Sequence, residues 1–154
     1  MPARMTYPIF LDTNIPIYAA GTPHRLREPS RRILRLAVDY SDRMLTSAEV
    51  LQELVHRYIS IRRWDQGRGV LSRFARIMRG RVEPIYLQDV QEAAALADRY
   101  SGIDARDLLH LAVMQRVGCT RIATADTAFD RIDGIERLDP MRFDEWAPSI
   151  TDSA

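Results

Sequence analysis

Short apolar runs alternate with longer amphipathic stretches along almost the whole chain. Strands are predicted at residues 9–11, 44–45, 82–87, 121–124 and 136–138, and those at 44–45 and 121–124 are predicted to be buried. In the stretches between them, apolar residues recur every three or four positions, the spacing of one face of an α-helix. Strands separated by helices form a parallel sheet covered by helices on both faces. The sequence therefore predicts a three-layer α/β fold with a short central parallel sheet.

Capping residues and glycines mark where the predicted helices begin and end. A helix that follows a capping residue and precedes a glycine satisfies its end groups locally. The residues predicted to begin the helices are Pro16, Pro29, Thr46 or Ser47, Asp65, Asp89 paired with Glu92, and Asp104, and the glycines that end them are Gly21, Gly80, Gly102 and Gly118.

Length and composition predict a single domain in a reducing compartment. The chain has 154 residues and one cysteine, Cys119, so no internal disulfide can form. No apolar run is long enough to span a bilayer, and the first residues lack the apolar stretch of a secretion signal. We expect a cytoplasmic protein with one domain over residues 1–148 and a disordered tail over 149–154.

Charge is distributed unevenly, although the net charge is only +1. All 22 basic residues are arginines, and residues 56–81 hold eight of them against one acid. Residues 83–154 hold fourteen acids against seven arginines. This separation indicates one basic and one acidic surface, although two solvated helices with arginines outside would give the same pattern.

Four acidic residues stand beside apolar runs that would bring them to one edge of the core. Asp12 and Asp126 follow predicted strands, Asp107 lies in the first turn of a helix, and Glu53 lies near the middle of one. In parallel sheets, ligands bind beyond the carboxyl ends of the strands. Carboxylates gathered there are what divalent metal ions need, so phosphodiester hydrolysis is the leading hypothesis.

Each acid taken singly also has a structural interpretation. Asp12 and Asp126 suit turns and helix caps, and Asp107 suits the helix dipole. Glu49, three residues after Thr46, is interpreted as half of a capping box rather than as a catalytic residue. Glu53 lies close to an apolar stripe, where a carboxylate needs a partner. The joint placement of the four acids is what favours a site.

Four ordered stretches resemble the PIN-domain ribonucleases, in particular the small VapC-like toxins of type II toxin–antitoxin modules. Together they reach across nearly the whole predicted domain. The stretches are Leu11-Asp12-Thr13-Asn14, Ser47 to Leu54 with Glu53 six residues after Ser47, Asp107 to Ala112, and the T-x-D-x-x-F segment Thr124 to Phe129 followed by Asp130.

The resemblance implies a nuclease that uses Mg²⁺ or Mn²⁺ to cut RNA. It assigns metal binding and catalysis to Asp12, Glu53, Asp107 and Asp126. Asn14, Thr124 and Asp130 are candidates for orienting these ligands or a water. Ser47 is predicted to cap its helix. His110, between two leucines, is predicted to serve packing.

The resemblance also implies partners. They are an RNA substrate, a cognate antitoxin that places a basic side chain in the acidic pocket, and a second copy of the chain in a homodimer. Helices between residues 29 and 58 are expected to supply the apolar surface for the antitoxin. The arginines predicted to contact RNA phosphates are Arg62, Arg63, Arg68, Arg73 and Arg76.

Two other functions compete with the nuclease. An aspartate-based phosphatase would need an acid at position 14 and a lysine for the phosphate, but Asn14 stands there and the chain has no lysine. A non-catalytic PIN-like module that binds RNA or protein would not require four intact acids.

Overall fold

The computed structural model describes residues 8–152 and contains a five-stranded parallel sheet. The strands are β1 (Ile9–Leu11), β2 (Met44–Ser47), β3 (Val82–Glu83), β4 (Arg121–Ala123) and β5 (Glu136–Leu138). Their order across the sheet is β3-β2-β1-β4-β5, and every neighbouring pair is parallel.

Helices flank this sheet and make up most of the remaining chain. The α-helices of the described part are α1 (Asn14–Ala20), α2 (Arg27–Asp39), α3 (Ala48–Ser60), α4 (Trp64–Ile77), α5 (Leu87–Arg99), α6 (Ala105–Val117), α7 (Phe143–Trp146) and α8 (Pro148–Thr151). Short 3-10 helices lie at Ser41–Arg43, Thr127–Arg131 and Pro140–Arg142. The predicted α/β fold with a central parallel sheet flanked by helices is confirmed.

The core forms where the sheet meets the apolar faces of the helices. Phe10 and Ile122 from the central strands are fully buried, as are Leu54 of α3 and Met114 of α6. Phe129 is almost fully buried. Burying a large apolar side chain contributes roughly 1.5–3 kcal/mol each. These contacts fix the strand ends and the helices that carry the four acids.

The direction of chain crossover changes between β1 and β4. From β1 the chain builds outward to β2 and β3, and it then crosses back to add β4 and β5 on the other side. A reversal of this kind leaves a crevice at the carboxyl ends of the two central strands. Asp12 directly follows β1 and Thr124 directly follows β4, so both lie at this crevice.

The strand predicted over residues 82–87 is shorter in the structure. Only Val82–Glu83 pairs with β2, and α5 begins at Leu87. Pro84 carries no N–H for a sheet ladder, which ends the strand early. Asp89 is the third residue of α5, and its carboxylate accepts from the Tyr86 N–H at 2.9 Å. The predicted capping pair of Asp89 with Glu92 is therefore wrong, because Asp89 lies in the first turn and bonds back to the cap residue Tyr86.

Two other helix starts differ slightly from prediction, whereas the predicted capping of α3 by Ser47 is confirmed. Pro29 and Asp65 fall inside the first turns of α2 and α4 rather than at their caps. Helix α3 is capped by the Ser47 hydroxyl, which accepts from the Val50 N–H at 3.4 Å. The Thr46 hydroxyl instead donates to the Leu11 carbonyl at 2.9 Å, so the capping box with Glu49 is not formed.

The predicted disordered tail is wrong for residues 149–152. Helix α8 covers Pro148–Thr151, and Ile150 is fully buried. Its carbonyl accepts from Arg43 Nη1 at 3.0 Å. The last two residues of the predicted tail, Ser153 and Ala154, lie outside the described residues. Within residues 8–152, no helix is long and apolar enough to cross a membrane.

Candidate metal centre

All four predicted acids line one cavity of about 400 Å³ at the carboxyl ends of the central strands. Four different segments bring them there: the end of β1, the middle of α3, the first turn of α6 and the segment after β4. The cavity is lined by Asp12, Thr13, Asn14, Ile17, Glu53, Arg57, Asp104, Arg106, Asp107 and Asp126. The predicted convergence of acids distant in sequence is therefore present in the fold.

Asp12 is the most deeply buried of the four acids. Its Oδ1 accepts from the Thr13 N–H at 2.7 Å, and its Oδ2 accepts from the Thr124 hydroxyl at 2.7 Å and from Asn14 Nδ2 at 3.3 Å. Burial raises the pKa of Asp12, while His110 and the hydrogen bonds from Thr124 and Thr13 oppose the rise. Asp12 is thus fixed in place but is costly to keep ionised without a counter-charge.

Asp107 is less buried and carries a strongly shifted pKa. Burial, with repulsion from Asp12 and Asp126, raises the pKa of its carboxyl to about 7, against a smaller attraction to His110. A carboxyl oxygen of Asp107, one of Asp12 and a ring nitrogen of His110 all lie within 4.8 Å of one another. Oxygen and nitrogen ligands at these separations can share one cation.

His110 takes part in this cluster in a way that the sequence did not indicate. Its ring is fully buried and packs against Phe10 with centroids 5.3 Å apart, as expected of a packing residue. Its Nε2 also lies 2.9 Å from Glu53 Oε1 and 3.6 Å from Asp12 Oδ1. The short contact with Glu53 does not have the alignment of a hydrogen bond, and it becomes an ion pair when His110 is protonated.

The charge state of His110 follows from these neighbours. Burial alone would lower the pKa of His110, but contact with Glu53 and the charges of Asp12 and Asp107 outweigh it and raise the pKa. The other Glu53 oxygen, Oε2, accepts from the Thr13 hydroxyl at 2.9 Å. Glu53 is therefore held from two sides, which answers its predicted need for a partner.

Asp126 combines a structural role with its place in the cavity. Its Oδ1 accepts from the Ala128 N–H at 2.9 Å and caps the 3-10 helix Thr127–Arg131. Its own N–H donates to the Thr124 hydroxyl at 3.0 Å. The structural and the functional interpretations of this acid are compatible, because a carboxylate has further lone pairs for a cation.

Of the three residues predicted to orient the acids, the structure places two at Asp12. Asn14 Nδ2 donates to the Thr124 hydroxyl at 2.8 Å, and the same hydroxyl donates to Asp12. The third, Asp130, does not line the cavity and accepts from Arg137 Nε at 2.9 Å.

The arginines that line the cavity are not those predicted from sequence. Arg57 of α3 and Arg106 of α6 contribute to its wall. Arg73 lines a different cavity of about 390 Å³ beside α1 and α2. The other four predicted arginines, Arg62, Arg63, Arg68 and Arg76, are exposed and line neither of these cavities. Arg57 and Arg106 are the arginines that lie near the acids, and the number of arginines per stretch of sequence did not indicate this.

The chemistry of the cavity suits a hard divalent cation. Carboxylate oxygens dominate it, and Glu53 Oε1 is buried without a hydrogen bond among the described residues. Burial is the first cause that raises the pKa values of Asp12 and Asp107, so a bound cation would stabilise the ionised form of both groups. Mg²⁺ and Mn²⁺ bind through a few such oxygens and retain waters. The side chains present therefore fit a metal ion of this class.

Comparisons with known proteins converge on one family. A family model described as PIN domain matches residues 9–135. Ribonuclease VapC23 of Mycobacterium tuberculosis is 42% identical over 120 residues, which cover 77% of this chain and 92% of that protein. Ribonuclease VapC13 of the same species is 38% identical over 130 residues, which cover 84% and 98%.

Solved structures show the same fold at lower sequence identity. DNA-bound VapBC from Salmonella typhimurium superposes with a TM-score of 0.66 at 22% identity, covering 86% of this chain and 98% of that one. VapBC2 from Rickettsia felis, bound to a DNA fragment from its promoter, gives 0.65 at 18% identity, covering 84% and 96%.

Proposed function

The chain belongs to the PIN domain family, and from this premise we propose that it is a ribonuclease that uses Mg²⁺ or Mn²⁺ to hydrolyse RNA phosphodiester bonds, acting as the toxin of a toxin–antitoxin pair. The observation that carries the proposal is the convergence of Asp12, Glu53, Asp107 and Asp126 in one cavity. The ribonuclease names of the relatives at 38–42% identity support the reaction type.

In this proposal the four acids hold the metal. A divalent ion bound there supplies positive charge beside the scissile phosphate and makes water more acidic. The remaining chemistry belongs to the protein. Thr124 and Asn14 orient Asp12, and Thr13 orients Glu53 through its hydroxyl. His110 Nε2 lies 2.9 Å from Glu53 Oε1 and 3.6 Å from Asp12 Oδ1, so the protonated ring would add positive charge beside both carboxylates.

The substrate phosphates would meet the two cavity arginines. Arg106 is held by Asp104, with Nε 3.3 Å from Oδ1, while its guanidinium remains half exposed. Arg57 lies one turn after Glu53 on α3 and is exposed. One guanidinium group can donate two parallel hydrogen bonds to two oxygens of a phosphate. We assign these two arginines to the phosphates that flank the cleaved bond.

A cleavage assay tests this function against the non-catalytic alternative. The wild-type protein should cut single-stranded RNA with Mn²⁺ and be inactive with a chelator. Asp12→Asn should lose at least about 100-fold in rate. Its melting curve should stay cooperative at a lower melting temperature, since the single amide oxygen can replace Oδ1, which accepts from the Thr13 N–H, but cannot also replace Oδ2, which accepts from the Thr124 hydroxyl. Asp144→Asn, which changes an exposed acid outside the cavity, is the matched control. Metal-independent cutting, or full activity in Asp12→Asn, would reject the proposal.

A cognate antitoxin is part of the same proposal. The solved neighbours are toxin–antitoxin complexes, which supports a protein partner for this chain. The cavity of about 390 Å³ that Arg73 lines offers a groove for this partner, with apolar walls and two arginines, Arg31 and Arg73. It lies between α1, α2 and α4, whereas the sequence pointed to residues 29–58. Co-expression with the product of the neighbouring reading frame, followed by co-purification, tests for this partner.

We also propose that the chain forms a homodimer. Tyr86, Leu87 and Val90 are large apolar residues that remain at least half exposed around the start of α5. Exposed apolar clusters of this kind mark interaction surfaces. Light scattering on the purified chain measures the mass directly, and a mass of 17.7 kDa at all concentrations would exclude the dimer.

A further inference from the structure

Arg137 on the edge strand β5 links two points on either side of Asp126. Its Nη1 donates to the Thr124 carbonyl at 3.2 Å, and its Nε donates to Asp130 Oδ1 at 2.9 Å. Thr124 precedes Asp126 by two residues and Asp130 follows it by four. One guanidinium therefore ties together both ends of the segment that carries the fourth acid.

The bond to Thr124 replaces one that the sheet cannot make. The Thr124 N–H donates to the Leu138 carbonyl at 3.4 Å, which continues the β4–β5 ladder. In a parallel ladder the Thr124 carbonyl would next accept from the N–H of residue 140. That residue is Pro140, which has no N–H. Arg137 supplies the missing donor at the point where the chain turns into the cavity.

Burial distinguishes Arg137 from an ordinary surface ion pair. Its side chain is only 12% exposed, whereas that of Asp130 is 53% exposed. It also lies 3.8 Å from Asp139, so acidic groups surround it on two sides. Most surface ion pairs contribute little to stability. Arg137 is instead nearly buried and donates to a main-chain carbonyl, so it holds the Thr124 end of the segment in place.

We propose that Arg137 is a positioning residue for the metal centre, holding the Thr124–Asp130 segment so that the Asp126 carboxylate is presented to the cation. The proposal rests on the proposed metal-dependent function. It gives Asp130 an indirect role through Arg137. Metal sites tolerate ligand displacements of only about 0.5 Å, and outer contacts commonly change metal affinity by about 10–100-fold.

The test is calorimetric titration with Mn²⁺ alone, at a temperature where circular dichroism shows each variant to be folded. Arg137→Met, which keeps the stem but removes every donor, should raise the dissociation constant for Mn²⁺ by about 10–100-fold. Arg137→Lys retains one charged donor and should show a smaller loss. If Arg137→Met does not fold, Arg137→Lys decides the question.

Arg116→Met is the matched control. Arg116 bonds Asp89 at 2.9 Å, Glu83 at 3.2 Å and the Pro84 carbonyl at 2.9 Å, so it also ties a main-chain carbonyl to two acids. It lies in the last turn of α6 and does not line the acidic cavity. Its removal should change Mn²⁺ affinity by less than about twofold, even if the melting temperature falls.

Unchanged Mn²⁺ affinity in Arg137→Met, or an equal loss in Arg116→Met, would overturn the positioning role. So would a wild-type chain that binds no Mn²⁺. A wild-type chain that binds Mn²⁺ but cuts no RNA would instead reject the proposed function while leaving the role of Arg137 in metal binding open to the same comparison.

Discussion

At the residue scale, Asp107 combines burial with like charge. Its carboxyl oxygen and that of Asp12 lie within 4.8 Å. At an effective dielectric of about 20, two negative charges at that separation repel by roughly 3 kcal/mol. A bound cation would relieve this repulsion, whereas the metal-free protein either bears it or takes up a proton. Removing the charge at position 107 should therefore separate folding from metal binding.

Asp107→Asn should abolish cleavage while leaving metal-free stability unchanged or higher. Its stabilisation by Mn²⁺ should be much smaller than that of the wild type. Thermal melts with and without Mn²⁺, run beside the cleavage assay, measure both effects. For contrast, Asp104→Ala removes a true cap that accepts from the Arg106 N–H at 2.8 Å, and it should lose about 1 kcal/mol. An Asp107→Asn protein that melts markedly lower without metal and still cuts RNA would contradict the catalytic assignment.

Stability of the metal-free protein should fall as pH rises. Burial raises the pKa of Asp107 from its ordinary 3.8 to about 7, so its contribution is fully present below pH 3.8 and is lost through pH 7. Asp12, raised chiefly by burial, and His110, raised by its acidic neighbours against burial, act with the same sign. Melting temperatures of the metal-free wild type should be higher at pH 5.5 than at pH 7.5.

The control for that titration is Asp107→Asn, in which the decline between pH 5.5 and 7.5 should be shallower. Saturating Mn²⁺ should reverse the trend in the wild type, because the ion competes with protons for the same carboxylates. A metal-free wild type that becomes more stable over this pH range would show that the acids are not under electrostatic strain.

Sequence alone predicted which acids converge in the cavity and missed the contacts between residues that are distant in sequence. Asp12, Glu53, Asp107 and Asp126 stand in recognisable stretches, and all four line the cavity. The contact of His110 with Glu53 joins two helices, so no local pattern indicates it. The ladder position that Pro140 cannot fill, and that Arg137 serves, becomes visible only once β4 and β5 are paired.

At the scale of elements, helices α3 and α4 approach so closely that only glycine fits between them. A Cβ added at Gly67 would lie 2.3 Å from the Tyr58 Cβ, and the backbone must shift to admit it. A Cβ at Gly69, in the same helix, would meet only the end of the Arg73 side chain, at 3.2 Å. Because both glycines lie in the same helix and differ in what surrounds them, alanine at each position compares a close helix contact with an open one.

Gly67→Ala should destabilise the fold by about 1–3 kcal/mol, because the added methyl group forces α3 and α4 apart. Gly69→Ala should be neutral or should stabilise by up to about 1 kcal/mol, because alanine restricts the unfolded chain and Arg73 can move aside. Chemical denaturation of both variants checks the difference. Equal effects of the two substitutions would show that the close helix contact does not matter energetically.

Periodicity predicted the helices better than the strands. Helix α3 follows clear apolar spacing after its cap Ser47, α6 is bounded by its cap Asp104 and by Gly118, and both form where expected. Strand β3 has only two residues because it lies at the edge of the sheet and Pro84 ends it. Helix α8 was missed because its burial of Ile150 depends on contacts far away in sequence, such as that with Arg43.

At the scale of the whole molecule, strand order decides which residues meet. The alternation of strands and helices predicts a parallel sheet, but it does not give the order β3-β2-β1-β4-β5. That order places β1 beside β4, and so Asp12 beside Thr124. The same topology separates the acidic cavity from most of the arginines in residues 56–81. The sequence predicted the acidic cavity and the basic stretch, but only the fold shows that most of the basic stretch lies away from the cavity.

The basic helix and the cavity arginines can be separated by salt dependence. If α4 contacts RNA phosphates, the double variant Arg68→Gln/Arg76→Gln should bind all single-stranded RNAs more weakly and lower the slope of log affinity against log salt by about 1.4, roughly 0.7 for each phosphate that is no longer neutralised. Binding is measured on the inactive Asp12→Asn background. Arg99→Gln/Arg142→Gln, which removes the same charge from two exposed arginines elsewhere, is the control and should leave the slope nearly unchanged. An unchanged slope in the first variant, together with a reduced slope in Arg57→Gln/Arg106→Gln, would place the RNA path at the cavity alone and exclude α4 from it.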